Sequence, residues 1–223
     1  MELERTAYSI YSVEQKNRTK QNPLTTLYPS LPNTKYDVIY ADPPWDYGGK
    51  CQYDKSVIKA NNVGFTKKIF LSSVAFKYPT LKVSELKQLD LPSISAEDCL
   101  LFMWVTAPQM ANAIEVGKAW GFDYKTVAFV WDKMIHNPGR YTLSETEFVL
   151  LFKRGKIPSP RGARNIKQII RVKRGAHSEK PVEVIDGITK MFPLQRKIEL
   201  FARREYEGWD NWGLESPETS SKK

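Results

Sequence analysis

The chain has 223 residues, 41% of them hydrophobic, enough for one cored domain with a short appendage, and its net charge of +9 points to a polyanionic partner such as nucleic acid. Its cysteines, Cys51 and Cys99, and its histidines, His136 and His177, fall at no metal-ligand spacing, which argues against a disulfide framework and a bound metal and fits a reducing compartment. No apolar leader opens the sequence and no apolar run could span a bilayer, so a cytoplasmic or otherwise intracellular protein without a membrane partner is expected.

Residues 1–33 are polar and rich in X-Pro pairs and read as an N-terminal arm; 34–215 read as one domain; 216–223 read as a disordered tail. The β-rich run Tyr36 to Ala41 must stop at Asp42-Pro43-Pro44, because proline donates nothing to a sheet ladder. Asp42 therefore lies at the carboxyl end of a strand, the edge where open α/β sheets bind ligands. Residues 48–77 lack a period and read as a mobile loop over the site. A short helix is predicted over 82–89, a buried strand over 99–105, and a helix over 108–120 with a stop at Gly121. Two more buried strands are predicted over 124–131 and 148–152, a short one over 169–172, a helix over 181–192 and a last strand over 198–202. Strands alternating with helices predict an α/β layered fold with a mostly parallel sheet.

Asp42-Pro43-Pro44-Trp45 carries the chemistry. The lone pair of an exocyclic amine on a base, such as N6 of adenine, is delocalised into the ring, so the amine is a poor nucleophile. Two acceptors, one for each N–H, favour a more tetrahedral nitrogen. The Asp42 carboxylate and the Pro43 carbonyl can supply them, on a turn stiffened by two prolines, and Trp45 offers a flat face for a base. Taken as an isolated tetrapeptide, the same residues could equally form a polar turn capped by a core tryptophan. No Gly-x-Gly-x-x-Gly follows a strand, which counts against a dinucleotide cofactor.

From Lys153 to Arg174 every charged residue is basic, and Pro158, Pro160 and Gly162 make the centre a loop. Such a run repels itself without a counter-anion, so Arg161, Arg164 and Lys167 are candidate phosphate contacts. A base inside a duplex is out of reach of a pocket, so one that is to react must be flipped or single-stranded.

Ala41 to Trp45, Leu101 to Thr106, Lys180-Pro181 and Arg196 to Arg203 occur in the order seen in the MT-A70 family of adenine-N6 methyltransferases, and the resemblance covers about Tyr36 to Glu215. It implies a Rossmann-like class I methyltransferase fold, with a mostly parallel central sheet, helices on both faces, and a permuted order that puts the catalytic motif ahead of the main cofactor strand. It also implies S-adenosyl-L-methionine as cofactor and DNA or RNA as substrate. By position, Asp42, Pro43, Pro44 and Trp45 match the catalytic loop, while Tyr78 and Glu147 match substrate-side residues. Lys180 matches a lysine near both the cofactor carboxylate and the target adenine. Glu199, Phe201 and Arg203 match cofactor contacts, as do Gly213 and Glu215 in a ribose-binding segment. Leu214 replaces that segment's asparagine, and Arg204-Glu205-Tyr206 replaces a His-Asn pair found in some members.

The leading expectation is N6 methylation of adenine in DNA. The alternatives are the same reaction on RNA, a non-catalytic nucleic-acid-binding subunit, and transfer to a small amine or protein glutamine, against which the basic stretch argues. Pairing with a second copy or a paralogue is also open.

Overall fold

The computed structural model describes residues 23–47, 80–137, 141–175 and 179–216. They fall into two compact units, one within 1–28 and 44–86, the other within 29–43 and 87–223. The first unit holds helix α1 (Pro23–Thr26) packed on helix α2 (Val83–Leu86). The Glu85 carboxylate accepts the Lys82 N–H at 2.6 Å, satisfying one of the donors that a helix start leaves open. A parallel bridge joins Trp45 to Leu81: Leu81 N donates to the Pro44 carbonyl at 2.7 Å and Asp46 N to the Leu81 carbonyl at 3.0 Å. The helix expected over 82–89 is a single turn. A 3-10 turn follows at Leu91–Ser93, with Pro92 in its first turn, where a missing N–H leaves no helical bond unmade.

The second unit is built on a seven-stranded sheet in the order β5-β3-β4-β2-β1-β6-β7. In chain order these are β1 (Tyr36–Ala41), β2 (Ser95–Val105), β3 (Asp123–Asn137), β4 (Ser144–Arg154), β5 (Ile169–Arg171), β6 (Lys197–Leu200) and β7 (Asp210–Trp212). Only β4 runs against its neighbours, so the sheet is mostly parallel and the fold is mixed α/β. Among the described residues, no helix is long and apolar enough to cross a membrane.

Several strands outrun their apolar cores. The β3–β4 hairpin continues past Phe148 because Trp131 pairs with Glu147 and Asp132 with Thr146. Polar residues extend a ladder as readily as apolar ones, since the bonds are backbone bonds. β2 likewise starts at Ser95, through Glu97 and Asp98.

Helix α3 (Met110–Ala119) fills the crossover between β2 and β3, with Gly117 against the Phe152 ring. A Cβ there would fall 2.3 Å from that ring, so the close approach requires glycine. Helix α4 (Val182–Met191) buries Val184, Ile185 and Ile188 against Val38, Tyr40, Phe102, Trp104, Phe129 and Trp131. Each such aliphatic side chain contributes roughly 1.5–3 kcal/mol on burial. This helix-covered face leads into the site. Tyr40 pairs with Phe102 on one side and Glu199 on the other, and Asp42 follows Tyr40 by two residues, the repeat that returns a side chain to the same face.

Candidate active site

β1 delivers Asp42 just past its last residue, and the Asp42 N–H reaches the Leu200 carbonyl at 3.4 Å. The carboxylate meets Lys180, which immediately precedes Pro181 at the start of α4: Lys180 Nζ donates to Asp42 Oδ2 at 2.9 Å. The same ammonium stands 3.5 Å from Glu147 Oε2 and 5.3 Å above the Trp104 ring. Trp104 Nε1 in turn donates to the Tyr40 hydroxyl. Asp42, Glu147 and Lys180, named from three distant stretches of sequence, thus meet in one cluster.

Glu199 is buried beside Tyr40, and its Oε2 has no hydrogen-bond partner among the described residues. Burial first, and the nearby Asp42 charge second, raise its pKa from 4.5 to about 8. Burial also pushes the Tyr40 phenol up. A buried carboxyl oxygen with no donor among the described residues leaves a place for a ligand's donor. A ligand offering an ammonium and hydroxyls meets that need, while Lys180 suits a carboxylate. S-adenosylmethionine carries all three groups, so the residues present fit it.

The remaining expected cofactor contacts follow β6. Phe201 has φ 61°, the left-handed region that disfavours L side chains, and packs edge-on against Trp212 at 5.4 Å. Gly213 presses on this turn: a Cβ would fall 2.9 Å from the Ala202 backbone N and O. Arg203 Nε stands 3.6 Å from Glu215 Oε2, so two residues expected at the cofactor face each other. Trp45 is buried. Tyr78, the loop expected over 48–77, residues 1–22 of the expected arm and 217–223 of the expected tail lie outside the described residues.

Arg161, Arg164 and Lys167 lie in the segment between β4 and β5, and Arg161 is exposed. Their loop is tied to the end of α4 by Gly162 N donating to the Met191 carbonyl and Ala163 N to the Lys190 carbonyl, and Arg161 sits 5.5 Å over the Phe192 ring. Beneath it a cavity of about 470 Å³ is lined by Leu100, Phe102, Phe129, Lys153 and Arg161 among others. No carboxylate is among its lining residues, so it lacks the charged acceptor given to the transfer, and the reactive cluster at Asp42 is a different place.

Sequence reasoning missed Lys133. Its Nζ stands 3.5 Å from Glu147 Oε1, and its side chain is only 5% exposed. The available signal was its place two residues after Trp131, on a strand whose partner carries Glu147.

The MT-A70 family model matches residues 36–215. The chain belongs to the MT-A70 family. It is accordingly an adenine-N6 methyltransferase that uses S-adenosylmethionine, and the family implies the methyltransferase fold for this mixed sheet. The chain is 69% identical to the Type II methyltransferase M.MunI of a Mycoplasma sp. over 218 residues, 98% of this chain and 94% of that one. It is 28% identical to the N(6)-adenine-specific methyltransferase METTL4 of Mus musculus over 81% of this chain. It is 27% identical to an N(6)-adenosine-methyltransferase MT-A70-like protein of Arabidopsis thaliana over 80% of this chain. The matched regions span only 37% and 23% of those two longer proteins.

Proposed function

We propose that this MT-A70 chain transfers the methyl group of S-adenosylmethionine to N6 of adenine in DNA. The observation that carries this reading is the Asp42 carboxylate, set at the end of β1 and held at 2.9 Å by Lys180, with Pro43 next in the chain. Near-full-length similarity to a protein named a Type II methyltransferase supports DNA, since we read that name as a DNA-modifying enzyme. The fold we infer is the Rossmann-like class I arrangement in permuted order, with α3 and α4 on opposite faces of the sheet.

When bound, the cofactor supplies an electrophilic methyl group on a sulfonium. The chain's own residues hold the amine. Asp42 accepts one N–H and the Pro43 carbonyl the other, which directs the nitrogen lone pair out of the purine plane. Lys180 holds the carboxylate in place and offers a donor to the cofactor's carboxylate. Glu199 turns its unpartnered oxygen to the cofactor's donors, beside Phe201 and Arg203, while Gly213 and Glu215 complete the ribose side. Glu147 borders the purine. Arg161, Arg164 and Lys167 hold phosphates outside the pocket.

The test is product identification. The protein is incubated with labelled S-adenosylmethionine and single-stranded DNA, duplex DNA or RNA, and the digested nucleosides are separated. N6-methyldeoxyadenosine is the expected product; N6-methyladenosine from RNA alone would move the reading to RNA, and no product from any substrate would remove it.

A further inference from the structure

We infer that Lys133 is a positioning residue for methyl transfer: through Glu147 it sets how Lys180 is shared between Glu147 and the reactive Asp42. This deepens the proposed reading of the site and rests on it.

The four side chains form a line of alternating charge. Lys133 Nζ stands 3.5 Å from Glu147 Oε1, Glu147 Oε2 stands 3.5 Å from Lys180 Nζ, and Lys180 Nζ stands 2.9 Å from Asp42 Oδ2. Glu147 uses one oxygen for each lysine. Its negative charge is therefore divided between two cations, and Lys180 lies nearer the aspartate than the glutamate. Without Lys133, Glu147 would keep Lys180 as its sole cation in this line and draw it away from Asp42.

Exposure separates this role from DNA binding. Lys133 is buried, so it cannot reach a phosphate, although it lies on a basic chain. The backbone around it is held from both sides. Arg174 N donates to the Lys133 carbonyl at 3.1 Å, and Met134 N donates to Asp132 Oδ1 at 3.0 Å. Met134 takes φ 53°, an unusual conformation for a residue with a Cβ. The Asp132 carboxylate itself faces outward to Arg171 Nε at 3.7 Å, which leaves Lys133 to Glu147.

A double-mutant cycle with Glu147→Gln tests the line. Lys133→Met keeps the length of the side chain and removes its charge. It should lower kcat about tenfold while KM for DNA stays within about threefold, the signature of a displaced reacting group rather than weakened binding. In the Glu147→Gln background the same change should add less than about twofold, because the path through Glu147 is already cut. A full tenfold loss in that background would overturn the inference, as would wild-type kcat in Lys133→Met, or a raised DNA KM with kcat unchanged. Should Lys133→Met alone fail to fold, the double variant, which buries no lone charge at the pair, is compared with Glu147→Gln alone by the same criterion. Wild-type enzyme that makes N6-methyldeoxyadenosine while the cycle is additive would sink the Lys133 role and leave the proposed function standing.

Discussion

Lys180 and Asp42 meet at 2.9 Å although 138 residues separate them in the chain. One stands at the end of β1 and the other just before α4, so the core that seats α4 on the sheet also sets this ion pair. Side-chain exposures of 18% and 20% place the pair between core and solvent, where geometry matters more than net stabilisation.

Replacing Lys180 with methionine should therefore damage function more than stability. The variant should fold, bind S-adenosylmethionine at least about tenfold more weakly, as expected when a charge-assisted hydrogen bond of about 1.5–3 kcal/mol is removed, and transfer slowly. Calorimetric titration with the cofactor and single-turnover rates check this; unchanged affinity would remove Lys180 from the cofactor site.

Glu199 gives the protein a pH signature. Its pKa is raised from 4.5 to about 8, so between those values the folded protein holds a proton that the unfolded chain has released. Its contribution to stability is full below about pH 4.5 and is lost as the pH climbs to about 8. Glu199→Gln should flatten the fall in stability over that window, read by denaturant melts at several pH values. A cation bound beside Glu199 favours its ionised form, so cofactor binding near neutral pH should release a proton. Calorimetry in buffers of different ionisation enthalpy detects the release, and its persistence in Glu199→Gln would exclude this residue as the source.

The basic loop should act without regard to sequence. Changing Arg161, Arg164 and Lys167 together to glutamine should weaken binding to unrelated DNA duplexes alike. The slope of log affinity against log salt should flatten by about 0.9 for each phosphate that is no longer neutralised. Equal slopes for variant and wild type would assign these cations to solvent.

Gly213→Ala should disturb the turn after β6, because the new Cβ would sit 2.9 Å from backbone atoms of Ala202 that cannot swing aside. A destabilisation of about 1–3 kcal/mol is expected in denaturant unfolding, with weaker cofactor binding. Unaltered stability would mean that the turn can move.

Much of this site could be read from residue order. Asp42 could be placed at a strand end because two prolines must stop β1, and the apolar runs at 99–105 and 148–152 stood out as buried strands. The extents of β2, β3 and β4 could not, because their outer thirds carry polar residues that bond through backbone alone. β7 has three residues, too few for a period. Lys133 was hidden for a different reason. Lysine is seldom buried, and its partner Glu147 shares no local motif with it; only the hairpin register brings them together.

The most direct measurement of the central claim is a single-turnover comparison of wild type and Asp42→Asn on an oligonucleotide with one labelled adenine, with cofactor binding measured alongside. Asparagine keeps the shape and removes the charge that accepts the amine hydrogen. The expected result is a loss of about 100-fold or more in the transfer rate with the cofactor still bound. Transfer at near wild-type rate by Asp42→Asn, or a methyl group found elsewhere than adenine N6, would contradict the role given to Asp42.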